Sequence, residues 1–387
     1  MYRKTYVKID NSVLTDNIKQ IKKKYNNYKY YIGVVKANAY GHGDYIVNDL
    51  IKGGINYLAV SSLEEAISIR KYNQDIPILV LQPIPLEYID IVIKNKVTIT
   101  IESLVYAKEL VEKKLSDKLN IHIKLDTGMN RLGFKDKEEV YELTKLLKNN
   151  SKIYLEGIYT HIGTSGISDI YYDKSIEKFK ELTSKINLKE IPIVHINRSI
   201  TLVHHQINKF ETGVRLGIIM YGFSQSIPNP TGIRKIKRNL LIKKLGISKS
   251  ILPNDLNLHT AFSLYTEVMS LRKVNKGEYI GYGANYIAKE DMIIATIPIG
   301  YNDGIKQSMK YVSINNKKYP YVGDVCMDMI MIHVDETVKI HDKVELFGNN
   351  ISIKDISRET NLSAYHILTG IGTRVPRIYD DNTEIKY

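Results

Sequence analysis

The run Ile121-His-Ile-Lys-Leu125, followed by Lys137-Glu-Glu-Val-Tyr-Glu-Leu-Thr-Lys-Leu-Leu147 and then by Leu155-Glu-Gly-Ile-Tyr159, decides the architecture of the first part of the chain. The outer segments are short apolar runs of strand length. The middle segment places Val140, Leu143, Leu146 and Leu147 at spacings of three and four, which puts them on one helical face. The same alternation extends in both directions. Apolar runs recur at Tyr30–Val35, Tyr57–Val60, Ile78–Leu81, Val97–Ile101, Ile121–Leu125, Leu155–Tyr159, Ile191–Ile196 and Arg215–Met220. Most intervals hold a helical pattern, among them Ser62-Leu-Glu-Glu-Ala-Ile-Ser-Ile-Arg-Lys71. Eight alternations of strand and helix predict an α/β fold with an N-terminal (β/α)8 TIM-type barrel. The GxGxxG expected after the first strand of a doubly wound sheet is missing.

Past about residue 235 the texture changes. Thr266–Val274, Met292–Ile299, Tyr311–Ile314, Met329–Val334 and Lys343–Phe347 read as strands, joined by turn-rich stretches such as Asn275-Lys-Gly-Glu278. The expected division is therefore a barrel over residues 1–238 and a mainly β domain over 239–387.

Composition bounds the functional class. The 387 residues suffice for two domains with substantial cores, and 43% hydrophobic with 25% charged residues is ordinary for a soluble globular protein. No apolar run has the length of a membrane span, and the residues from Met1 to Asp10 lack the apolar core of a secretory signal. The single cysteine, Cys326, permits no intrachain disulfide. A cytoplasmic location is expected, with no membrane partner. The net charge of +13 is spread over lysines on the polar sides of helical patterns, with no recognition motif beside it, so no nucleic-acid partner is expected. No metal is expected.

A barrel carries its chemistry at the C-terminal ends of its strands. The first barrel strand runs into Val35-Lys-Ala-Asn-Ala-Tyr-Gly-His-Gly43. A partly buried lysine at such an end can keep a nucleophilic lone pair and condense with a carbonyl. The fifth run leads into Lys124-Leu-Asp-Thr-Gly-Met-Asn-Arg131, the sixth into His161, the seventh into His195-Ile-Asn-Arg-Ser199, and the eighth is Val214-Arg-Leu-Gly-Ile218. The later part holds Gly281-Tyr-Gly283, Gly300-Tyr-Asn-Asp-Gly304, Val325-Cys-Met-Asp328 and Leu362-Ser-Ala-Tyr365. Alone, each is weak, since turns are full of Gly-Tyr-Gly triplets.

As an ordered set, these segments resemble the alanine racemases, of the fold type III pyridoxal-phosphate enzymes. The Lys36 string resembles their pyridoxal-lysine signature, and the agreement runs over nearly the whole chain. The resemblance implies pyridoxal 5'-phosphate as cofactor and interconversion of L- and D-alanine by two bases, supplying D-alanine for peptidoglycan. It assigns Lys36 to one face of Cα, acting on the D-isomer, and Tyr282 to the other. It makes Lys36, Tyr40, His161, Ser199, Arg215, Gly217, Ile218 and Tyr365 cofactor-binding residues. Arg215 would donate to the pyridine nitrogen, and His161 would hydrogen-bond to Arg215. Ser199 and the Gly217 and Ile218 N–H groups would hold phosphate; Tyr365 would do so too and narrow the pocket. Arg131, Met327 and Tyr301 would bind substrate, with Asp328 in support. Lys124 would be carbamylated and hold Arg131. Tyr282, Tyr301 and Met327 would come from the second copy in a homodimer with shared active sites. One departure stands out, because the family usually has Asn where this chain has Arg198.

Rival readings share the barrel. A serine or broad-specificity racemase differs only in pocket size. A decarboxylase of the same fold type usually needs a cysteine from the partner subunit, and Cys326 lies within the racemase-like Cys-Met-Asp string. A non-catalytic cofactor carrier resembles the barrel alone and lacks a counterpart of Tyr282.

Overall fold

The computed structural model describes residues 2–163, 169–223 and 256–385, together with positions 233, 236, 237, 239, 240 and 243. Residue 238, the expected boundary, lies outside the described residues. The chain divides into two compact units. One comprises Met1–Leu14, Asn38–Gly43 and Thr260–Tyr387, and contains strand β1 (Tyr6–Ile9). The other comprises Thr15–Ala37 and Asp44–His259.

The second of these is built on eight strands: β2 (Tyr30–Val34), β3 (Tyr57–Val60), β4 (Ile78–Val80), β5 (Val97–Ile101), β6 (Leu119–Leu125), β7 (Ile153–Thr160), β8 (Ile193–Arg198) and β9 (Gly213–Leu216). Each pairs in parallel with the next, and β2 pairs with β9 to close the barrel. Every residue of β3, β4 and β5 is buried, as strands covered on both faces require. The helix Lys137–Lys148 is capped by Asp136, whose carboxylate accepts from Glu138 N–H, and it buries Val140, Leu143 and Leu147. Ser62 caps the helix Leu63–Arg70 in the same manner.

The barrel read from the sequence is present, with one end shifted. The last strand starts at Gly213 and stops at Leu216, short of the expected Met220. Ile218, Ile219, Met220 and Tyr221 are fully buried, yet Met220 N–H bonds Gly217 O and Tyr221 N–H bonds Ile218 O. Their apolarity marks burial in a turn rather than extension.

The other unit holds β10 (Phe262–Glu267), β11 (Ser270–Val274), β12 (Tyr279–Ile280), β13 (Tyr286–Ile287), β14 (Met292–Ile297), β15 (Tyr311–Ile314), β16 (Lys317–Val322), β17 (Ile330–Val334), β18 (Lys343–Phe347), β19 (Arg377–Ile378) and β20 (Glu384–Ile385). Ten strands form one sheet in the order β11-β14-β17-β16-β15-β18-β10-β1-β19-β20, and β12-β13 is a separate ribbon. The run Thr266–Val274 breaks at Val268 and Met269, whose N–H groups turn to Asp342 O and Thr296 O.

β1 lies in this sheet, antiparallel to β10 and parallel to β19, and not in the barrel where the division at 1–238 places it. The physical reason is its pattern. Val7 and Ile9 are buried while Lys8 is exposed, the alternation of a strand with one wet face. The unit is tied internally by Arg377, which is 1% exposed. Its guanidinium donates to the carbonyls of Gly41 (3.0 Å), Gly372 (2.8 Å), Val375 (2.7 Å) and Ile371 (2.8 Å). Arg377→Met fills similar space and removes every donor. Urea unfolding is expected to show a loss of about 3 kcal/mol or more, the sum of several unpaired buried acceptors. A loss below about 1 kcal/mol would mean that water replaces the guanidinium.

Candidate functional site

In the barrel unit the candidate residues collect at the C-terminal strand ends. Lys36 follows β2 after one residue, Val35, and is half-buried. The next turn, Lys36–Tyr40, is wound in the left-handed sense: φ is +53°, +53°, +49° and +53° at Ala37, Asn38, Ala39 and Tyr40. That conformation costs an L-residue about 1–2 kcal/mol. The short side chains at 37–39 keep crowding low. Glu65 fixes the entry, accepting from Ala37 N–H (2.7 Å) and Ser61 N–H (2.7 Å).

Arg215, on β9, is 3% exposed. Nη1 donates to His195 Nδ1 (2.7 Å) and His195 O (2.8 Å), and Nη2 to Thr160 O (2.7 Å) and Ile196 O (2.8 Å). A guanidinium has five N–H donors. Among the described residues none accepts from Nε–H of Arg215, so one donor remains for a ligand. Burial lowers the Arg215 pKa to about 10, still far above neutrality. The histidine bonded to Arg215 is His195, which corrects the expectation for His161. The reason is position: His161 follows the last residue of β7, and the carbonyl of that residue, Thr160, itself takes Nη2.

Lys124, the penultimate residue of β6, is 5% exposed, with its Nζ 4.7 Å above the Tyr159 ring. Burial, then the Arg215 and Arg131 cations, lower its pKa to about 7. The following loop folds back through Asp126, which accepts from Gly128 N–H (2.9 Å) and Asn130 N–H (3.0 Å). Gly133 has φ +117°, and a Cβ there would lie 2.7 Å from Lys124 O, so this return needs glycine. Lys124, Asp126, Arg131 and His161 line one small cavity. Burial and four nearby cations, Arg215, Arg198, Lys124 and Arg131, push the His161 pKa down to about 2. His161 is therefore neutral.

Ser199 Oγ accepts from Gly217 N–H (2.9 Å), which brings two of the expected phosphate donors together, and Ile218 follows, buried. Arg198 is held by its Nε–H on Ile162 O (3.2 Å) and its backbone N–H on Thr201 Oγ1 (2.9 Å).

The remaining candidates lie in the other unit. The rings of Tyr40 and Tyr365 are 5.6 Å apart. Tyr282, in a short helical turn after Gly281, is 72% exposed, and Tyr301 and Met327 are each 52% exposed. An open groove of about 640 Å³ is lined by Arg272, Tyr279, Tyr282, Met327, Met329 and Met331. Tyr301 N–H bonds Cys326 O (3.0 Å), and a Cβ on Gly300 would lie 2.3 Å from that oxygen, so the two loops touch only because residue 300 is glycine. Arg374 ties the same loops, bonding Asp328 and Asp303 (2.6 Å), while Arg3 adds two bonds to Asp303 (2.8 and 2.9 Å). Burial opposes the Asp303 charge, but these arginines hold its carboxyl below the ordinary range.

Sequence reasoning passed over His122, Tyr159, Glu156 and the role of His195. His122 and His195 stood inside quoted segments, and only barrel closure shows that they meet.

The chain matches two family models, "Alanine racemase, N-terminal domain" over residues 9–225 and "Alanine racemase, C-terminal domain" over residues 261–379. It is 33% identical over 393 aligned residues to alanine racemase 1 of Bacillus subtilis, covering 99% of this chain and 95% of that protein. Among solved structures, it is similar to the alanine racemase of Bacillus anthracis with bound L-Ala-P, with a TM-score of 0.86 and 32% identity, covering 100% of this chain and 97% of that one. It is also similar to a histidine racemase of Leuconostoc mesenteroides subsp. sake, with a TM-score of 0.85 and 25% identity, covering 98% of each chain.

The pKa of Lys124 makes stability depend on pH. Its folded value lies below the ordinary 10.5, so between about 7 and 10.5 the unfolded chain binds more protons. Stability from this group rises with pH across that window. The difference in unfolding free energy between the native chain and Lys124→Met, in carbon-dioxide-free buffer, is expected to move in favour of the native chain as pH rises. A difference independent of pH would mean an ordinary amine.

Proposed function

The chain belongs to the alanine racemase family of pyridoxal-phosphate-dependent enzymes, and from that membership we propose that it interconverts L- and D-alanine, supplying D-alanine for peptidoglycan. The observation that carries the site assignment is the cluster of cations at the barrel strand ends. Arg215, Arg198, Lys124 and Arg131 all act on His161, and the Asp126 carboxylate is tied to backbone N–H groups. Such a site calls for an anionic ligand, and a phosphate with a substrate carboxylate supplies the missing charge.

The donor set suits the cofactor. Lys36 would hold it covalently, Arg215 would offer Nε–H to its ring nitrogen, and the Ser199 hydroxyl, the Ile218 N–H and the Gly217 N–H, the last turning from Ser199 Oγ, would hold its phosphate. By resemblance, the Tyr40 and Tyr365 hydroxyls join that phosphate, Tyr365 limits side-chain size, and His161 is a neutral neighbour of the cations. Bound there, pyridoxal phosphate withdraws electrons from Cα and acidifies its proton. Arg215 keeps its own proton, so it would leave the ring nitrogen an acceptor and the electron withdrawal moderate. Moderate withdrawal favours prompt return of the proton to Cα.

Once the alanine amine has displaced Lys36 and left it a free amine, Lys36 would exchange the Cα proton on one face and Tyr282 of a second copy would do so on the other. Exposure of Tyr282, Tyr301, Met327 and Met329 in one patch supports a homodimer in which a second copy covers them. Arg131 would receive the substrate carboxylate, with Tyr301 and Met327 shaping the pocket and Asp328 holding the Met327 loop through Arg374. At pH 7 a substantial fraction of Lys124 is neutral amine. That amine adds to carbon dioxide and loses a proton, giving a carbamate anion beside Arg131.

An L- to D-conversion assay with added pyridoxal phosphate, run on alanine, serine, lysine and histidine, tests the reading. Alanine is expected to lead serine by at least about tenfold in kcat/KM, the discrimination one extra group commonly gives. A lead for histidine would align the chain with the histidine racemase and overturn the narrow pocket. No turnover on any of them would favour a carrier.

Two variants test the bases. Lys36→Ala is expected to lose the visible band of lysine-bound cofactor; a full band would place the attachment elsewhere. Tyr282→Phe is expected to bind cofactor and lose about 10²–10⁴-fold in racemisation. Near-normal turnover there would remove Tyr282 as a base.

A further inference from the structure

Inside the barrel, below the residues with assigned roles, runs an unbroken chain of hydrogen bonds. Glu156 Oε2 lies 3.3 Å from His122 Nε2, His122 Nδ1 lies 3.0 Å from His195 Nε2, and His195 Nδ1 lies 2.7 Å from Arg215 Nη1. One rule orders every proton in it. A guanidinium only donates, so His195 Nδ1 must accept and its proton sits on Nε2. His122 Nδ1 must then accept, and its own proton, on Nε2, goes to Glu156. Both imidazoles are fully buried. Burial, the largest influence on both, keeps them neutral with help from the Arg215 charge, against the opposing pull of Glu156 on His122. Donors surround the carboxylate: Tyr57 Oη (2.7 Å), Thr98 Oγ1 (3.1 Å) and Asn120 Nδ2 (3.3 Å). Burial opposes its charge, but the His122, Tyr57 and Thr98 bonds hold it below the ordinary range, so it stays ionised.

The backbone is shaped around this chain. β6 and β7 slip register between Ile121 and His122, and His122 pairs with Gly157. A Cβ on Gly157 would lie 2.5 Å from the His122 ring, so only glycine leaves room for it. His195 is stacked on Tyr159, with ring centres 4.6 Å apart and 15° between planes. Lys124, Arg215 and Tyr159 are the other titratable groups facing the pair.

We propose that His122 and Glu156 are positioning residues for Arg215: they lock His195 in the tautomer that accepts from the guanidinium, and so aim Arg215 at the cofactor ring. This rests on the reading of Arg215 as partner of the ring nitrogen. Without an acceptor at residue 122, the His195 proton is free to occupy Nδ1, where it opposes Nη1 of Arg215 and turns the guanidinium away.

The test uses the full chain, labelled with ¹⁵N-histidine and free of cofactor, in long-range proton–nitrogen correlation spectra between about pH 6 and 9. Both rings are expected as neutral Nε2–H tautomers throughout. His122→Leu removes the acceptor, His122→Asn supplies an oxygen in its place, and Glu156→Gln keeps the shape without the charge. In His122→Leu the His195 signal is expected to leave the pure Nε2–H position. In the cofactor-loaded enzyme, kcat is expected to fall about tenfold, the effect of one lost hydrogen bond, with KM little changed. Amino-group transfer to the cofactor is expected to rise per turnover. His122→Asn is expected to restore all three readouts, and Glu156→Gln to shift the His122 signal. Should His122→Leu fail to fold, the native spectrum with the Asn and Gln variants still decides. A proton on His195 Nδ1 in the native chain, or an unmoved His195 signal in His122→Leu, would overturn the relay. A moved signal with unchanged kcat and amino transfer would leave the relay standing and overturn Arg215 as the ring's partner.

Discussion

A guanidinium buried in a barrel can donate hydrogen bonds but can never accept one, and much of this active unit follows from that. Arg215 commits four N–H groups to His195 and to the carbonyls of Thr160, His195 and Ile196. Those acceptors are uncharged, so the positive charge is held by dipoles and not cancelled. Its field helps depress the basicity of Lys124, His161 and His195. Burial leads in making Lys124 a free amine near neutral pH, and the charge that fixes the hydrogen bond adds to it.

The backbone meets this demand at a few expensive places. The left-handed turn after Lys36 sets the exit direction of that side chain and is held at its start by Glu65. Gly133 lets the Arg131 loop return onto the end of β6, and Gly157 gives His122 its volume. Each glycine sits where a methyl group would strike backbone or a buried ring. These positions constrain the site as firmly as the polar residues do, though none carries chemistry.

The sequence reveals the parts of this site that are local and hides the parts that depend on closure. Lys36, Lys124, Arg131 and Arg215 stand in short motifs at strand ends, so their types and spacing are readable along the chain. Glu156 is not. Its side chain matters because β6 and β7 slip register by one residue, and no periodicity announces a slip. Choosing His195 over His161 as the Arg215 partner needs the same cross-strand knowledge, since β8 and β9 also shift between His195 and Arg198. The barrel rhythm was plain because its strands are buried on both faces. β1 escaped it because four residues with one wet face look like a poor barrel strand, when they are an ordinary strand of the other sheet.

The cation cluster sets function against stability. Arg198 acts against the Arg215 charge, and Arg215 and Arg131 act against a charge on Lys124, so these groups oppose one another and weaken the fold without a ligand. An anion bound there relieves the repulsion, and because the unfolded chain offers no such site, binding stabilises the native state by linkage. At a ligand concentration a hundred times Kd, the gain is about 2.7 kcal/mol. A barrel optimised for its own stability would place more carboxylates beside these cations than Asp126, which is itself engaged by the Gly128 and Asn130 N–H groups. Those carboxylates would then compete with the phosphate and with the substrate for the same donors. Under the proposed function, the excess of positive charge is thus what would favour anions at these strand ends.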